Sequence, residues 1–302
     1  ISISPSDFEV IVFAWQEWGQ KCVDHLIGEF AFVLYDEESE KIFMARDRTG
    51  VKPLFYGWTK SKEFVFGSEP KAILKYHDID KAIDYSSVAE FLLMGHTFAA
   101  GNQSERSSYY KNIHQLPPAH YALVDEKGAH LTRYYDLPIG RENKGDNKKI
   151  IRKLLTKAVE DRIPDEVPTS IGLSGGLDSS ILAALAKRSK KAKGLLASCV
   201  SYMGDPNEDY KHAKILAKKD KMKLVGPVIS PEEMIATINE CIWSLDGPVD
   251  SIRRMGMHAN YKKIHDVGYR ATLIGEGADE FNLGYYHKFP GLKLDKEYCK
   301  DA

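Results

Sequence analysis

The chain has 302 residues, with 42 lysine and arginine residues against 43 aspartate and glutamate residues and a formal net charge of -1. This balance provides no basic surface for nucleic acid or an anionic membrane, so neither partner is expected. The length favours two domains, and a hydrophobic content of 43% can fill two cores. No apolar run approaches membrane-spanning length and no signal peptide is visible, so a cytoplasmic protein is expected.

The four cysteines are too scattered for a metal-binding motif or a dense disulfide framework, which agrees with a reducing compartment. They are Cys22, Cys199, Cys241 and Cys299. The ten histidines are also isolated, and none stands beside an acid and a nucleophile at a catalytic spacing. The sequence does not determine the assembly of the protein, and a homodimer is one option.

The first third of the chain predicts an α+β domain. Asp7 to Trp18 has the apolar spacing of an amphipathic helix, with Ser6 or Asp7 as its cap. Four short segments rich in aromatic and β-branched residues then predict an antiparallel sheet layer. These strands are 30–36, 41–45, 54–57 and 63–67, and further helices are predicted at 69–76 and 86–94.

Several segments of this region resemble the later part of a class II glutamine amidotransferase domain. They occur in the order of that family and include Gly28-Glu29-Phe30, Ala45-Arg46-Asp47-Arg48-Thr49-Gly50 and Gly67-Ser68-Glu69-Pro70-Lys71. The resemblance implies a layered-sheet domain of the N-terminal-nucleophile type. It also implies that Asp7 binds the amino group of the substrate glutamine.

The nucleophile of that family is a cysteine at the mature N-terminus, where the free α-amino group activates the thiol. The printed chain does not begin with cysteine. Cys22 follows the first predicted helix and is interpreted as a small buried hydrophobic residue. We therefore expect a chain that is incomplete at both ends of the family pattern and that cannot hydrolyse glutamine as it stands.

A connector and a linker follow the predicted sheet layer. Residues 109–120 resemble the segment that joins glutaminase to synthetase in asparagine synthetases, with Ala119 at the usual position of a glycine. Residues 140–147 are charged and contain glycine, as linkers do. The predicted domains are therefore a glutaminase-like domain over 1–140 and a second domain over 148–302.

The second half alternates strands with helices, which predicts an α/β domain with a parallel sheet and ligands at the carboxyl ends of its strands. An apolar strand begins at Thr169, and later strands are predicted at 195–200, 223–225 and 271–274. Helices are predicted at 208–219, from Pro231 onward and at 254–264. The helix after Pro231 carries one apolar face that predicts core packing, namely Met234, Ile235, Ile238, Cys241, Ile242 and Leu245.

The strand at Thr169 leads into a turn of small residues and then into a helix. Ser174, Gly175 and Gly176 let the backbone approach a bulky anion, and the helix directs its free N–H groups at the same place. Ser179 and Ser180 add hydroxyl groups. Asp178 is placed to hold a magnesium ion against phosphate oxygens.

This turn lacks the lysine of a Walker P-loop. Its Ser-Gly-Gly-Leu-Asp-Ser order over 174–179 resembles the PP-loop of ATP pyrophosphatases, which split ATP between the α- and β-phosphates. The resemblance implies ATP and Mg²⁺ as cofactors and an α/β PP-loop domain over 148–302.

A second candidate half-site follows the last predicted strand, where Gly275-Glu276-Gly277-Ala278-Asp279-Glu280 places carboxylates between glycines. Asp279 is expected to share the magnesium ion with Asp178. The segment resembles a motif of asparagine synthetases. That resemblance assigns Glu276 to the formation of a β-aspartyl-AMP intermediate, and it adds Leu173, Val200, Ile274 and Gly275 to the ATP contacts.

Two features depart from the asparagine synthetase pattern. Asn282-Leu283 replaces the usual Phe-Gly, and residues 245–258 match the aspartate-binding stretch poorly. The expected function is an AMP-forming amide ligase that activates a small carboxylate, most simply aspartate, and uses glutamine or ammonia as the nitrogen donor. One alternative is an intramolecular ligase resembling β-lactam synthetase or a lasso-peptide cyclase, with an inactive glutaminase domain. Another is a non-catalytic nucleotide sensor.

Overall fold

The chain divides into two units in the computed structural model. The first unit comprises Ile1–Glu142 with Ser244–Asp250, and the second comprises Asn143–Trp243 with Ser251–Ala302. The structure describes residues 7–95, 97, 108–138, 145–165, 167–192, 194–203, 208–281 and 284. Among the described helices, none is both long enough and apolar enough to span a bilayer.

The first unit contains two antiparallel sheets. Strands β1 (Ala31–Asp36), β2 (Lys41–Arg46), β6 (His120–Asp125) and β7 (Gly128–Arg133) form one sheet in the order β1-β2-β6-β7. Strands β3 (Phe55–Trp58), β4 (Phe64–Gly67) and β5 (Ile113–Gln115) form the other in the order β4-β3-β5. The antiparallel pairing was predicted, but the single layer was not correct. The four predicted strands separate because β5 and β6, from the segment interpreted only as a connector, pair with different members of the set.

The helices of the first unit begin with α1 (Asp7–Trp18), which has the predicted bounds. Ser6, one of its two predicted caps, lies outside the described residues. A 3₁₀ turn at Gly19–Lys21 leads to α2 (Cys22–His25), and α3 (Pro70–Ile73) and α4 (Tyr85–Met94) follow later. Cys22 is fully buried, and this burial raises the pKa of its thiol to about 11. The thiol is therefore a packing group, as predicted.

A buried Arg-Asp pair organises the turn after β2. The guanidinium group of Arg46 donates to the carbonyl oxygens of Lys52 at 2.7 Å, Leu116 at 2.7 Å and Gly50 at 2.6 Å. The carboxylate of Asp47 accepts from the backbone N–H groups of Thr49, Val51 and Lys52 at 2.9 to 3.1 Å. Both side chains are almost fully buried. Within the segment that resembles an amidotransferase motif, the side chains of Arg46 and Asp47 therefore bond to the backbone and fix the turn.

Ala119 has a left-handed backbone with φ of +58° and is buried. Its N–H donates to the carbonyl oxygen of Asp47 at 2.9 Å, and its own carbonyl oxygen accepts from Tyr134 N–H at 2.9 Å. Glycine adopts this conformation without the steric cost that a Cβ atom brings. The alanine found here in place of the family's glycine therefore leaves strain at a position that the neighbouring hydrogen bonds hold fixed.

The second unit is built on a parallel sheet, as predicted. Strands β8 (Thr169–Gly172), β9 (Leu196–Ser198), β11 (Lys223–Val225) and β13 (Ala271–Leu273) pair in the order β11-β9-β8-β13. Two short strands, β10 (Ser201–Tyr202) and β12 (Val228–Ile229), form a separate parallel pair. Because β8 occupies an interior position, it is buried along most of its length.

Helices α5 (Asn147–Arg162), α6 (Leu177–Arg188), α7 (Glu208–Lys219), α8 (Pro231–Leu245), α9 (Ile252–Asp266) and α10 (Ala278–Phe281) complete the second unit. Helix α7 has the predicted bounds, whereas α5 was not predicted. Asn147, predicted as the end of a linker, begins α5, because the Asp146 side chain caps this helix by accepting from Lys149 N–H at 3.2 Å. Residues 140–144 of that linker lie outside the described residues.

The predicted core face of α8 is wrong. Cys241 is buried, but the side chains of Ile235, Ile238, Ile242 and Leu245 are exposed, with 73% of Ile235 accessible. Apolar spacing shows that a helix has a hydrophobic face without showing what covers it. The core is instead formed by the sheet with α6 and α7, through Ile171, Leu173, Ala183 and Ala213.

Replacing Ala119 with glycine should raise the free energy of unfolding by up to about 1 kcal/mol, because relief of the left-handed strain outweighs the added entropy of the unfolded chain. Urea unfolding followed by tryptophan fluorescence measures this change, since Trp15, Trp18 and Trp58 all lie in the first unit. Ala122→Gly is the matched control. Ala122 is buried within β6, and glycine there should destabilise the protein. Equal losses in the two variants would contradict the argument.

Replacing Asp47 with alanine should lower the free energy of unfolding by about 3 kcal/mol, because three backbone N–H groups lose their acceptor inside the protein. Asp47→Asn keeps one acceptor oxygen and should cost less. Asp36→Ala is the control, because the carboxylate of Asp36 accepts its hydrogen bonds from Glu38 N–H and Ser39 in an exposed turn. A change in Asp47→Ala as small as that in the control would show that the turn does not depend on this carboxylate.

Candidate active site

The loop from Ser174 to Gly176 joins the carboxyl end of β8 to helix α6. Leu173, at the start of this connection, is buried, and its N–H donates to the carbonyl oxygen of Ser198 on β9 at 2.8 Å. The loop therefore leaves the sheet from a fixed point between two parallel strands. Its position at the carboxyl edge of the sheet is the one predicted for a ligand site.

The hydroxyl groups of the loop are bonded to the loop itself. Ser179 Oγ accepts from Ser174 N–H at 3.2 Å and lies 3.0 Å from Ser174 Oγ, which in turn accepts from Gly176 N–H at 3.3 Å. Ser180 Oγ donates to the carbonyl oxygen of Gly176 at 2.6 Å. These bonds bring together Ser174, Gly176, Ser179 and Ser180, all of them predicted ligand residues.

Helix α6 presents its N-terminus at this loop. The N–H of Ser180 reaches back to the carbonyl oxygen of Gly176 at 3.1 Å, so the amide groups of Leu177 to Ser179 precede this i→i−4 bond. Amides in this position, together with the positive end of the helix dipole, suit an anion such as a phosphate group.

Gly175 has no room for a side chain. Its φ is +84°, and a Cβ atom added to it would overlap the Cβ of His212 on α7. The same atom would lie 3.1 Å from the carbonyl carbon of His212 and 3.2 Å from Ala213 N. Only glycine lets the loop backbone approach α7 this closely.

The pairing of β8 with β13 brings the second predicted half-site to the loop. Ile171 and Leu273 are register partners, and Ser170 Oγ lies 2.7 Å from Thr272 Oγ1 across the pair. Beyond the strands, a Cβ atom added to Gly275 would lie 3.2 Å from Asp178 Cβ. The backbone of the second motif therefore contacts the first turn of α6.

Of the predicted carboxylate residues, Asp178 is part of this contact, and the other two, Glu276 and Asp279, follow Gly275 in the sequence. Asp178 is in the first turn of α6 and Asp279 is in the first turn of α10, and each is partly exposed. Glu276 lies between them in sequence and is exposed, and its negative charge adds to the burial that raises the pKa of Tyr261. The carboxylate of Glu276 is therefore close enough to helix α9 to interact electrostatically with Tyr261.

The donor set suits a magnesium ion that takes further ligands from phosphate and water. The described residues contain no cluster of three or more histidine, cysteine or acidic side chains able to hold a metal alone. Asp178 lies in the first turn after the anion-binding loop, and Asp279 lies four residues after Gly275, the residue that contacts Asp178.

The remaining predicted ATP contacts surround the same strand ends. Gly172 would place a Cβ atom 3.2 Å from Ile274 Cγ2, so Ile274 covers the end of β8. Val200 follows β9. A Cβ atom added to Gly256 of α9 would lie 3.4 Å from Val200 Cγ1, so Val200 is close to this helix. Asp7, the predicted glutamine ligand, is exposed at the start of α1 in the first unit.

Two residues that the sequence did not identify lie close to the candidate site. His212 of α7 contacts the Ser174–Gly176 loop at Gly175, and Tyr261 of α9 lies within electrostatic range of Glu276. Each belongs to a helix that could be predicted, but the orientation of that helix could not. The sequence held one available signal, because a glycine at a left-handed loop position requires a close neighbour or a turn. It did not identify that neighbour as α7. Asn282-Leu283 lies outside the described residues.

Two family patterns match the chain in succession. Residues 2–135 match the family described as glutamine amidotransferase domain, and residues 150–298 match the family described as asparagine synthase. Among solved structures, NMN synthetase from Francisella tularensis is 22% identical over 47% of this chain and 59% of its own, with a TM-score of 0.34. This score is too low to bear on the fold.

Curated relatives align with nearly the whole chain. Asparagine synthetase [glutamine-hydrolyzing] 3 of Bacillus subtilis is 31% identical over 98% of this chain and 51% of its own length. Asparagine synthetase [glutamine-hydrolyzing] 2 of the same organism is 30% identical, with 93% and 39% covered. The chain thus spans about half the length, or less, of these relatives. Both family patterns and both relatives agree that the chain joins a glutamine amidotransferase region to an asparagine synthase region, and it is similar to asparagine synthetases along nearly its whole length.

Proposed function

We propose that this chain carries the nucleotide-activating machinery of an AMP-forming amide ligase. The observation that supports this most directly is the contact between two loops at the carboxyl edge of one parallel sheet. One loop offers an anion cradle over Ser174 to Ser180, and the other brings Gly275 against Asp178. A nucleoside triphosphate needs both features, because its phosphates require amide donors and its metal requires carboxylates.

In the proposed reaction, an oxygen of the substrate carboxylate attacks the α-phosphorus of ATP. The bond between the α-phosphorus and the bridging oxygen breaks, pyrophosphate leaves, and an acyl-AMP forms. The amides of the loop and of the first turn of α6 stabilise the charge that develops on the leaving group. Asp178 and Asp279 would hold Mg²⁺, which would supply positive charge to the phosphate oxygens.

The second half-reaction forms the amide. Ammonia attacks the acyl carbon, AMP leaves with the electron pair of the broken C–O bond, and a proton is lost from the nitrogen. Glu276 directly follows Gly275, the residue that contacts Asp178, and we assign it to the first half-reaction, the formation of the acyl-AMP. The adenine and ribose would lie against Leu173, Val200, Ile274 and Gly275, around the strand ends.

The proposed acid is aspartate and the proposed nitrogen donor is glutamine. Glutamine-hydrolysing asparagine synthetases are the curated relatives, and a glutamine amidotransferase pattern covers residues 2–135. Asp7 would bind the amino group of glutamine. We keep the domain limits at 1–140 for the glutaminase-like domain and 148–302 for the synthetase domain.

Replacing Gly175 with alanine should weaken ATP binding by at least about 10-fold, because the added methyl group overlaps α7 and displaces the loop amides. Isothermal titration calorimetry with Mg-ATP measures the change. Gly194→Ala is the matched control in the same unit, since Gly194 also has a left-handed φ of +65° but has open space around it. Its backbone strain should lower stability while leaving ATP affinity unchanged. Equal affinity losses in both variants would contradict the proposed cradle.

Replacing Glu276 with glutamine should reduce pyrophosphate release with ATP and aspartate by about 100-fold or more, while the dissociation constant for ATP stays within about twofold. A coupled pyrophosphate assay and calorimetry measure the two quantities. Glu280→Gln, an exposed carboxylate of α10, serves as the control. A fully active Glu276→Gln variant would show that this residue has no role in the reaction.

The choice of substrate tests the alternative function. Activity of the unaltered protein only with carboxylates that carry their own amine would favour an intramolecular ligase.

A further inference from the structure

The anion cradle described above contains no cationic side chain of its own. Residues 174–180 include two glycines, three serines, a leucine and an aspartate, but neither lysine nor arginine. Pyrophosphate leaves with several negative charges. Backbone amides and one metal ion supply part of the compensation, and a charged donor makes a stronger hydrogen bond than a neutral one.

Helix α7 is the element that lies directly against the cradle. A Cβ atom on Gly175 would overlap His212 Cβ, so the side chain of His212 leaves the helix at the surface of the loop. The next residue, Ala213, is fully buried, and Ala217 one turn later is 2% exposed. Both belong to the core that includes Ile171 and Leu173 of the central strand. The core therefore prevents α7 from moving away from the loop.

Helix α7 carries charged groups of both signs near His212. Lys211 is bound to the carboxylate of Glu208 at 2.6 Å, which commits its ammonium group to the helix surface. Positive charge on His212 adds to the effect of Lys211 in lowering the pKa of Glu208. His212 itself is exposed to solvent, so its ring is accessible to a ligand.

We infer that His212 is a further phosphate ligand of the site and donates a hydrogen bond to the β- or γ-phosphate of ATP and then to pyrophosphate. The inference rests on the proposed function, because it needs those phosphates in the Ser174–Ser180 loop. It adds a residue from a different element to the cradle. In this arrangement α7 supplies the charged donor that the loop sequence lacks.

His212→Gln should raise the dissociation constant of the full chain for Mg-pyrophosphate by about 10-fold, since a charge-assisted hydrogen bond is lost. The dissociation constant for AMP, which has no β- or γ-phosphate, should change less than about twofold by the same reasoning. His212→Arg keeps a cationic donor and should retain most of the pyrophosphate affinity. Lys214→Gln is the matched control, because it removes an exposed cation from the same helix.

Calorimetry with Mg-pyrophosphate, Mg-ATP and AMP distinguishes the outcomes. If the unaltered protein binds neither ATP nor pyrophosphate, the proposed function fails. If it binds both and His212→Gln binds pyrophosphate equally well, only the role of His212 fails. Parallel weakening of AMP and pyrophosphate would show that His212 merely supports the loop, and it would also overturn the inference.

Discussion

The second unit depends on the pairing of β8 with β13. These strands are more than 90 residues apart in sequence, yet their backbones form register pairs from Thr169 to Ile171, and Ser170 and Thr272 meet across them. Parallel pairing places the two carboxyl ends at one edge of the sheet. Each strand is followed by a glycine-containing loop, so a single pairing brings both halves of the candidate site together. The contact between Gly275 and Asp178, beyond the ends of the two strands, follows from this pairing.

The first unit has a comparable centre in Arg46 and Asp47. A buried arginine and a buried aspartate would be costly if either lost its partners. Here the guanidinium group donates to three carbonyl oxygens, and the carboxylate accepts from three backbone N–H groups of the turn. The bond from Arg46 to the carbonyl oxygen of Leu116 joins this turn to a distant part of the sequence. The recognisable Arg-Asp segment therefore has a structural role in the first unit.

Local patterns predicted much of the architecture, and long-range packing accounts for what they missed. The bounds of α1, α7 and β11 follow from apolar periodicity and turn residues. The loop over Ser174 to Ser180 could be predicted because its glycines and serines are adjacent in sequence. The division of the first unit into two sheets depends on pairs such as Ile42 with Val124 and Gly57 with Ile113, which are far apart in sequence, and the exposed face of α8 depends on what packs beside it. Neither is encoded in a short window.

The internal hydrogen bonds of the Ser174–Ser180 loop have a consequence for the thermodynamics of binding. Because Ser174, Ser179 and Ser180 already bond to the loop, its backbone is ordered before a ligand arrives. An anion then finds its amide donors aligned and does not pay the conformational entropy of arranging them. The serines of such a loop therefore increase affinity by making the loop rigid in the free protein, in addition to any contact that they make with the ligand.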